Sequence, residues 1–491
     1  MANMHELKSE TQILEFTIEN SPLEIAQKIL NLNPRVIGFG VYIWNVTETQ
    51  QVIEVIKSLR PDIFIVLGGP EVSHEIPEQP IVRFADFVIA GEADRAFYQL
   101  CKSLVIEQII PETKIIPATP PDPKTLALPY DLYTDHDLQN RIVYVEASRG
   151  CVYKCEYCLS SLDKGVRAFD LDVFIQQMQK LYDRGLRQFK FVDRTFNLNP
   201  NTSSQILQFF LDKPAFVHFE MVPDRFPDNL KDLVKQFPEG SLQFEIGIQT
   251  FNPETAQLVS RKNDLDKLRA NMDFLKNQTK VHTHADLIAG LPAEDLNSFG
   301  AGFDRLFAMQ PDEIQVGLLK RLRGTPIIRH QQKYKMVYQS KAPYQILQTS
   351  TLSFDEVLFL SRFARYWDMI GNSGRFPSFV KQVVTIDPFN QMKLVTEFMY
   401  AHFGRTHKIS YEALLQGLYE FCLNQGMSIE KATAMLEADF KLSSHQAVPK
   451  FLKKHPERSN GPLAKTDSKN LISKSLTAAP KRQRQHLATK H

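Results

Sequence analysis

Three of the chain's five cysteines fall within one short stretch, Cys151-Val152-Tyr153-Lys154-Cys155-Glu156-Tyr157-Cys158, spaced C-x3-C-x2-C. Thiolate sulfur is the ligand that iron–sulfur clusters take, and cysteines this close can hold one cubane. Three protein ligands leave one iron of a [4Fe–4S] cluster open to an outside molecule. An open iron can take part in chemistry, whereas a fully ligated one mainly carries electrons. Other arrangements fit less well. A structural zinc site takes four ligands, commonly in C-x2-C-type pairs, and the next histidine after Cys158 is His218. A disulfide framework belongs to short secreted chains with an even cysteine count. Buried core thiols would be scattered rather than set among charged and aromatic neighbours.

Thiols in this role need a loop that brings them together and elements that hold that loop. Residues 142–148 read as a strand, with Arg149-Gly150 leading into Cys151. Strands are expected again at 188–193, 216–221, 242–249, 281–288 and 313–319, with helical segments between, all parallel. Asp170 should cap the helix that runs to Arg184, with Gly185 just past its end. The period of two along a strand groups Tyr144, Glu146 and Ser148; His218 and Glu220; Glu245, Gly247 and Gln249; and His282, His284 and Asp286. A packed barrel interior is branched and apolar. Here one face is polar on four of the strands, and buried polar groups cost free energy unless bonded. That face is expected to line a polar ligand cavity. Placing it under the covering helices is the alternative, but a helix-covered face should be apolar too.

Length and composition set the frame. A chain of 491 residues holds two or three domains. Its 43% hydrophobic residues suffice for large cores, and a net charge of +2 makes no whole-protein case for nucleic acid. No run reaches the 18 or so apolar residues of a membrane span. The first dozen residues lack the apolar core of a signal peptide. A reducing, cytoplasmic setting is expected.

Before the cysteines, strands are expected at 13–19, 36–42, 63–67 and 87–90. Helices are expected from Ser21 through Leu30, over 47–59, and after Asp94 to Cys101. This alternation predicts a doubly wound parallel sheet. Such sheets bind ligands at the carboxyl ends of their strands, where small residues admit a ligand to the backbone. Gly68, Gly69, Pro70, Gly91 and Glu92 occupy those ends. Residues 111–140 are Pro-rich and read as a linker. After 330 the pattern turns helical, over 354–370, 388–403, 410–425 and 428–438. Phe354, Phe363 and Tyr366 are expected in its core, and Cys422 as a core thiol. From about 455 the chain is rich in Ser, Lys and Arg and reads as a disordered basic tail, with RNA contact the weaker reading.

The C-x3-C-x2-C spacing, with Tyr157 before the last cysteine, resembles the signature of the radical S-adenosylmethionine (SAM) enzymes. The resemblance implies that Cys151, Cys155 and Cys158 hold a [4Fe–4S] cluster whose open iron is chelated by SAM. An electron supplied by a donor such as flavodoxin or ferredoxin would then cleave SAM to a 5′-deoxyadenosyl radical. It also implies a partial TIM-type (β/α)6 barrel over 141–330. The stretches FEMVPD, IGIQTFNPE, LVSRKND and ADLIAGLP resemble the SAM-binding strands of oxygen-independent coproporphyrinogen oxidase and its relatives. That resemblance assigns Glu220, Gln249 and Asp286 to the SAM amino group and ribose. It assigns Arg261 to the carboxylate, as suits a guanidinium fork, and 287–291 to the adenine. Tyr157 joins the SAM-binding set. Asp193 stands at the second strand end, where the family often has Gly-Gly-Glu.

IGFGVYIWN, LGGPEVS and ADFVIAGEAD resemble the cobalamin (B12)-binding domain that precedes many radical SAM domains. The resemblance makes 1–110 such a domain, with Gly68, Gly69, Pro70, Gly91 and Glu92 toward cobalamin. The D-x-H-x-x-G pattern of some relatives is absent, and the domain is expected to lack its first strand and helix. CLSSLDKGVRAF, FKFVDRTFN and the helical region over 331–454 resemble an uncharacterised, DUF4080-like subgroup of B12-associated radical SAM proteins. The expectation is a radical SAM enzyme acting on a small or unidentified substrate, with no membrane partner. With cobalamin bound, the implied reaction is methyl transfer to an unactivated carbon. Without it, hydrogen abstraction followed by rearrangement or oxidation is implied. A protein that senses SAM or cobalamin without turnover is the reading from another class.

Overall fold

The structure, a computed structural model, describes residues 1–163, 165–443, 448–452, 479, 480, 482, 483 and 486. It divides into two compact units. The first comprises Met1–Arg141, Glu146–Gly185 and Lys320–Ile346, and the second Ile142–Val145, Leu186–Leu319 and Leu347–His491. The cysteine stretch thus groups with the amino-terminal sheet, and most of the later strands with the helical region.

In the first unit four parallel strands lie in sequence order: β1 (Val36–Gly40), β2 (Phe64–Gly68), β3 (Phe87–Ala90) and β4 (Ile115–Pro117). Both faces are covered, which is why the strands are apolar on both sides. Ile65, Leu67 and Val88 pack with Ile25 and Ile29 of α1 (Pro22–Leu30) and Val52, Ile53 and Ile56 of α2 (Val46–Leu59). Val66, Phe87 and Ile89 face the other way, toward Leu100 of α3 (Ala96–Lys102) and toward Leu104. Gly38 admits α3 to the sheet, because a Cβ there would stand 2.7 Å from the Phe97 ring.

Two expectations are corrected here. Residues 13–19 form no strand: they run without a ladder partner into a turn before α1. The alternation Ile13-Leu14-Glu15-Phe16-Thr17-Ile18 satisfies the pattern but has no neighbouring strand to pair with. The linker over 111–140 is not wholly irregular either. Its Ile115–Pro117 pairs with β3 as the edge strand β4, a position where proline's missing N–H is harmless. It also contains a short helix, α4 (Asp135–Asn140), closed by a Thr134–Asp137 capping box. The unit continues through α5 (Leu171–Asp183), which Asp170 caps through the Val173 N–H as expected.

In the second unit six parallel strands also follow sequence order: β5 (Val143–Val145), β6 (Gln188–Phe191), β7 (Phe216–Met221), β8 (Leu242–Gln249), β9 (His282–Ala289) and β10 (Glu313–Leu318). Sequential parallel order is the pattern of a partial TIM-type barrel. Helices α6 (Pro200–Leu211), α7 (Asp228–Val234), α8 (Pro253–Leu258), α9 (Leu265–Gln278) and α10 (Leu296–Ala308) connect the strands. One face of each strand is apolar beneath them. Phe189 meets Phe210 of α6 with ring centroids 4.9 Å apart, and Phe226, between Phe244 and Phe274 of α9, joins another strand to its helix. The polar residues on the alternate positions therefore occupy the other face.

The carboxyl-terminal helices α11 (Phe354–Ile370), α12 (Pro377–Gln382), α13 (Pro388–Phe403), α14 (Tyr411–Asn424) and α15 (Ile429–Ser443) belong to the same unit. Phe303 of α10 packs on Phe363 and Trp367 at 5.1 Å each, and the Trp367 indole donates to the Ile314 carbonyl at 2.9 Å. Phe363 and Tyr366 are core residues as expected. Phe354 is not: at the first turn of α11 it is half exposed. Cys422 is a buried thiol whose pKa burial pushes up to about 12.

The tail expected from about 455 lies mostly outside the described residues. Of its described residues, Ala479 packs on Phe216, and Arg482 bonds Glu313 at 3.0 Å and Asp368 at 2.7 Å. Among the described residues no helix is long and apolar enough to cross a membrane.

Candidate cofactor sites

The cysteine loop is closed at its base by a two-residue antiparallel pair, Ser148 with Ala168 and Arg149 with Arg167. Gly150 has φ 94°, and a Cβ there would collide with the Gly165 carbonyl oxygen, so the entry to the loop requires glycine. Inside it, Lys154 Nζ donates to the carbonyls of Ser161 (3.1 Å) and Asp163 (2.7 Å). Ser161 Oγ donates to the Cys158 carbonyl at 2.7 Å, and the Cys158 N–H donates to the Cys155 carbonyl at 3.1 Å. Cys151 and Cys155 are buried, Cys158 is half-buried, and all three are free of disulfides. The Tyr153 N–H lies 3.4 Å from Cys151 Sγ, an amide directed at sulfur of the kind that tunes cluster thiolates. Among the described residues no three His, Cys, Asp or Glu side chains converge as on a single metal ion. In a cubane each thiolate takes its own iron, so its ligands need not converge. Three thiols outside any disulfide, on one internally braced loop, fit a [4Fe–4S] cluster.

Sequence reasoning missed the support around this loop. Glu156, only 3% exposed, bonds His330 Nε2 at 2.8 Å and pairs with Arg329, and its backbone carbonyl accepts from the Ile327 N–H at 2.9 Å. Arg149 reaches Glu146 (2.9 Å), Asp94 (2.8 Å) and Glu92 (3.1 Å), with its guanidinium over the Phe169 ring. Burial works against the Arg149 charge, but the bonds and charges of Asp94 and Glu146 outweigh it and hold its pKa above the ordinary value. Glu92, expected near cobalamin, is engaged by Arg149 and Arg167 at the base of the loop. The local sequence contains no signal for Glu156–His330, because the partners lie far apart in the chain.

The strand ends of the second unit carry the expected SAM residues. Pairing places Glu220 beside Glu245 and Gly247 beside Asp286. Arg194 bonds Glu220 at 2.7 Å, yet burial pushes the Glu220 pKa up. His218 Nε2 meets Glu245 Oε2 at 2.9 Å. Burial raises Glu245, but the His218 bond overrides it and brings its pKa down to about 2. The Asp286 carboxyl is pushed well above the ordinary range by burial, and then by the charges of Glu245 and Glu220, with Arg261 opposing. Its Oδ1 is buried with no hydrogen-bond partner among the described residues.

At a bulge between Gly247 and Gln249, Gln249 takes φ 76°. A Cβ on Gly247 would stand 2.6 Å from Gln249 Nε2 and 3.5 Å from Arg261 Nη2. Arg261 donates to the Gly247 carbonyl and is half-buried, rather than being an exposed cation at a helix end. Asp193, 4% exposed, follows β6. Glycine at 247 therefore lets Gln249 and Arg261 gather over the position paired with Asp286. His284 Nε2 stands 3.7 Å from Asp286 Oδ1. A desolvated carboxyl with one oxygen lacking a hydrogen bond, beside a guanidinium, suits a ligand carrying both donors and a carboxylate, and SAM has both. Glu294 was missed. It is 2% exposed, accepts from Thr250 Oγ1 at 2.5 Å, and burial raises its pKa to about 7.

The carboxyl edge of the amino-terminal sheet was expected to face cobalamin. Among the described residues nothing lies within 4 Å of where a Gly68 Cβ would be, so the backbone there is open to a ligand. Gly69 (φ 102°) and Gly91 (φ 104°) are glycines for backbone reasons, with Val41 O and Ala118 O at 2.6 and 3.2 Å from their would-be Cβ atoms. Pro70 starts the short turn Pro70–Val72. Glu71, 4% exposed, is held by Arg323 Nε (2.9 Å) and the Tyr344 hydroxyl (2.7 Å). The open backbone at Gly68 fits the approach of a large ligand.

The family matches follow this division of the chain. The B12 binding domain matches residues 2–101, the radical SAM superfamily residues 145–304, and a family described as a protein of unknown function, DUF4080, residues 332–491. Matches to a B12 binding domain, a radical SAM domain and a DUF4080 region thus follow one another along the chain, the arrangement of a B12-binding radical SAM protein with a carboxyl-terminal extension. The first two domains imply a [4Fe–4S] cluster with SAM, and cobalamin.

It is 23% identical over 338 residues to 2-(S-pantetheinyl)-carbapenam-3-carboxylate methyltransferase of Streptantibioticus cattleyicolor, covering 60% of this chain and 48% of that protein. It is 22% identical over 335 residues to the cobalamin-dependent radical SAM methyltransferase TokK of Streptomyces tokunonensis, with coverage of 60% and 48%. The chain thus spans about half the length of these curated relatives. Among solved structures, OxsB with aqua-cobalamin bound superposes with a TM-score of 0.57 at 14% identity, over 87% of this chain and 75% of OxsB. TsrM from Kitasatospora setae, with cobalamin and a [4Fe–4S] cluster bound, gives 0.52 at 16%, over 66% and 69%. At these identities the likeness is one of fold.

Proposed function

We propose that this protein is a radical SAM enzyme of the cobalamin-dependent methyltransferase type, acting in the cytoplasm on a substrate its residues do not name. The observation that carries the reading is the cysteine loop: three thiols, none in a disulfide, in one short stretch braced from within by Lys154 and from outside by Glu156. Cys151, Cys155 and Cys158 would hold the [4Fe–4S] cluster. Asp193, Glu220, Gln249, Arg261 and Asp286 would hold SAM. When bound, these groups supply reductive cleavage of SAM to a 5′-deoxyadenosyl radical, and cobalamin supplies a methyl carrier.

The chain's own contribution is binding and orientation. Arg261 is poised for the SAM carboxylate, as a charge-assisted pair. Asp286, held toward its protonated form, can both donate and accept at a hydroxyl or amine. Glu245 stays ionised through His218, which keeps a fixed negative charge on the strand face. The curated methyltransferase relatives and the B12 binding domain match support methyl transfer over oxidation or rearrangement.

The test is anaerobic. Reconstituted, reduced protein given SAM and cobalamin is expected to form S-adenosylhomocysteine together with 5′-deoxyadenosine. S-adenosylhomocysteine should disappear when cobalamin is withheld. Its formation at the same rate without cobalamin would rule out the methyl-carrier part of the proposal.

A further inference from the structure

Beyond the glycines expected to admit cobalamin, the same sheet edge carries an exposed aromatic pair that no comparison assigns. Trp44 is 62% exposed and Tyr42 37%. Their rings stack with centroids 4.5 Å apart and planes 10° from parallel. Tryptophan side chains are highly buried on average, and the chain's other tryptophan, Trp367, is only 4% exposed. The exposed pair is not on a slack loop. Asn45 Oδ1 accepts from the Tyr42 N–H at 2.8 Å, Asn45 Nδ2 donates to the Gly40 carbonyl at 3.0 Å, and the Asn45 N–H closes on the Tyr42 carbonyl at 3.1 Å. This side-chain-closed turn fixes the loop without burying either ring.

The turn is braced against the neighbouring strand ends. Val41, fully buried, donates its N–H to the Gly68 carbonyl at 2.8 Å and accepts from the Glu71 N–H at 3.3 Å. Ser73 Oγ donates to the Gly69 carbonyl at 2.8 Å and accepts from the Gly91 N–H at 3.0 Å. The carboxyl ends of β1, β2 and β3 are therefore one connected edge. It carries open backbone at Gly68 and a rigid aromatic face at Tyr42–Trp44. Ligands of such sheets bind beyond these ends.

We propose that Trp44, supported by Tyr42, is a contact surface for the corrin of cobalamin on this edge; the inference rests on the cobalamin reading above. A corrin is a broad, largely apolar macrocycle fringed with amides. A flat indole offers apolar area to the ring and an N–H to an amide carbonyl. The glycine backbone gives the macrocycle room beside it.

The test uses the full chain and Trp44→Ala and Trp44→Phe variants. Hydroxocobalamin binding is followed by equilibrium dialysis, and its visible circular dichroism reports the ring's surroundings. Trp44 lies outside the core, so far-UV spectra and melting points should match the wild type. Trp44→Ala is expected to raise the Kd about tenfold and to change the visible dichroism. Trp44→Phe should retain most of the affinity. Equal affinity and an unchanged dichroism spectrum for all three proteins would overturn the Trp44 assignment while leaving cobalamin binding intact. If the wild type binds no hydroxocobalamin, the assignment and the cobalamin reading fall together.

Discussion

Glu294 sets a pH dependence that can be worked out in advance. Its carboxyl is 2% exposed, Oε1 accepts from Thr250, and Oε2 is buried without a hydrogen-bond partner among the described residues. Burial raises its pKa from 4.5 to about 7, against the pull of the Thr250 bond. The folded chain therefore keeps a proton that the unfolded chain releases. The contribution is fully present below pH 4.5 and is lost as pH rises through 7. The rise from 4.5 to about 7 corresponds to about 3 kcal/mol in all. Most of this falls between pH 5 and pH 8.

Glu294→Gln keeps an acceptor for Thr250 and cannot ionise. The assay is the melting midpoint of wild type and variant from pH 5 to pH 8. The midpoints should nearly coincide at pH 5, and the variant should gain on the wild type by several degrees at pH 8. Parallel pH profiles for the two proteins would refute the reasoning. So would a variant that is less stable than the wild type by the same amount at every pH.

Other outcomes follow from the same geometry. Arg261→Ala should weaken SAM binding by about tenfold or more, the scale of a hydrogen bond to a charged group, with iron content unchanged. Equal SAM affinity by calorimetry would remove Arg261 from the site. Glu156→Ala should leave His330 and Arg329 without their buried carboxylate and destabilise the protein by about 3 kcal/mol, with loss of reconstituted iron; a variant that melts and loads iron like the wild type would contradict this. Arg482→Ala removes bonds to Glu313 and Asp368 that are partly exposed, so its cost should be about 1 kcal/mol. An unchanged melting curve would mean that these pairs contribute nothing.

The features legible in the sequence were those written locally. The six barrel strands could be read because their polar alternation has period two and their apolar alternates face helices, as Phe189 faces Phe210. The cysteine loop, its preceding strand and the Asp170 cap were legible for the same reason. Residues 13–19 misled because alternation says nothing about whether a neighbouring strand exists to complete the ladder. Ile115–Pro117 was hidden because three residues, the last a proline, carry no periodic signal, although they suffice at a sheet edge. Phe354 misled because it fits the apolar stripe of α11 but stands at the helix's first turn. The supporting ion pairs were invisible on different grounds. Glu71 meets Arg323 and Tyr344, and Glu156 meets His330, across separations that only the fold closes. Gly247 shows the opposite case: the glycine is plain in the sequence, but its role in seating Gln249 and Arg261 is not.

The central claim is that Cys151, Cys155 and Cys158 hold a cluster that cleaves SAM. The most direct measurement compares wild type with Cys155→Ala after anaerobic reconstitution, reading iron content, the electron paramagnetic resonance of the reduced cluster, and 5′-deoxyadenosine formed from SAM. The account predicts about four irons per wild-type chain, a reduced-cluster signal that changes when SAM is added, and 5′-deoxyadenosine, all lost together in Cys155→Ala. A Cys155→Ala protein that keeps a SAM-responsive cluster and makes 5′-deoxyadenosine at the wild-type rate would contradict it.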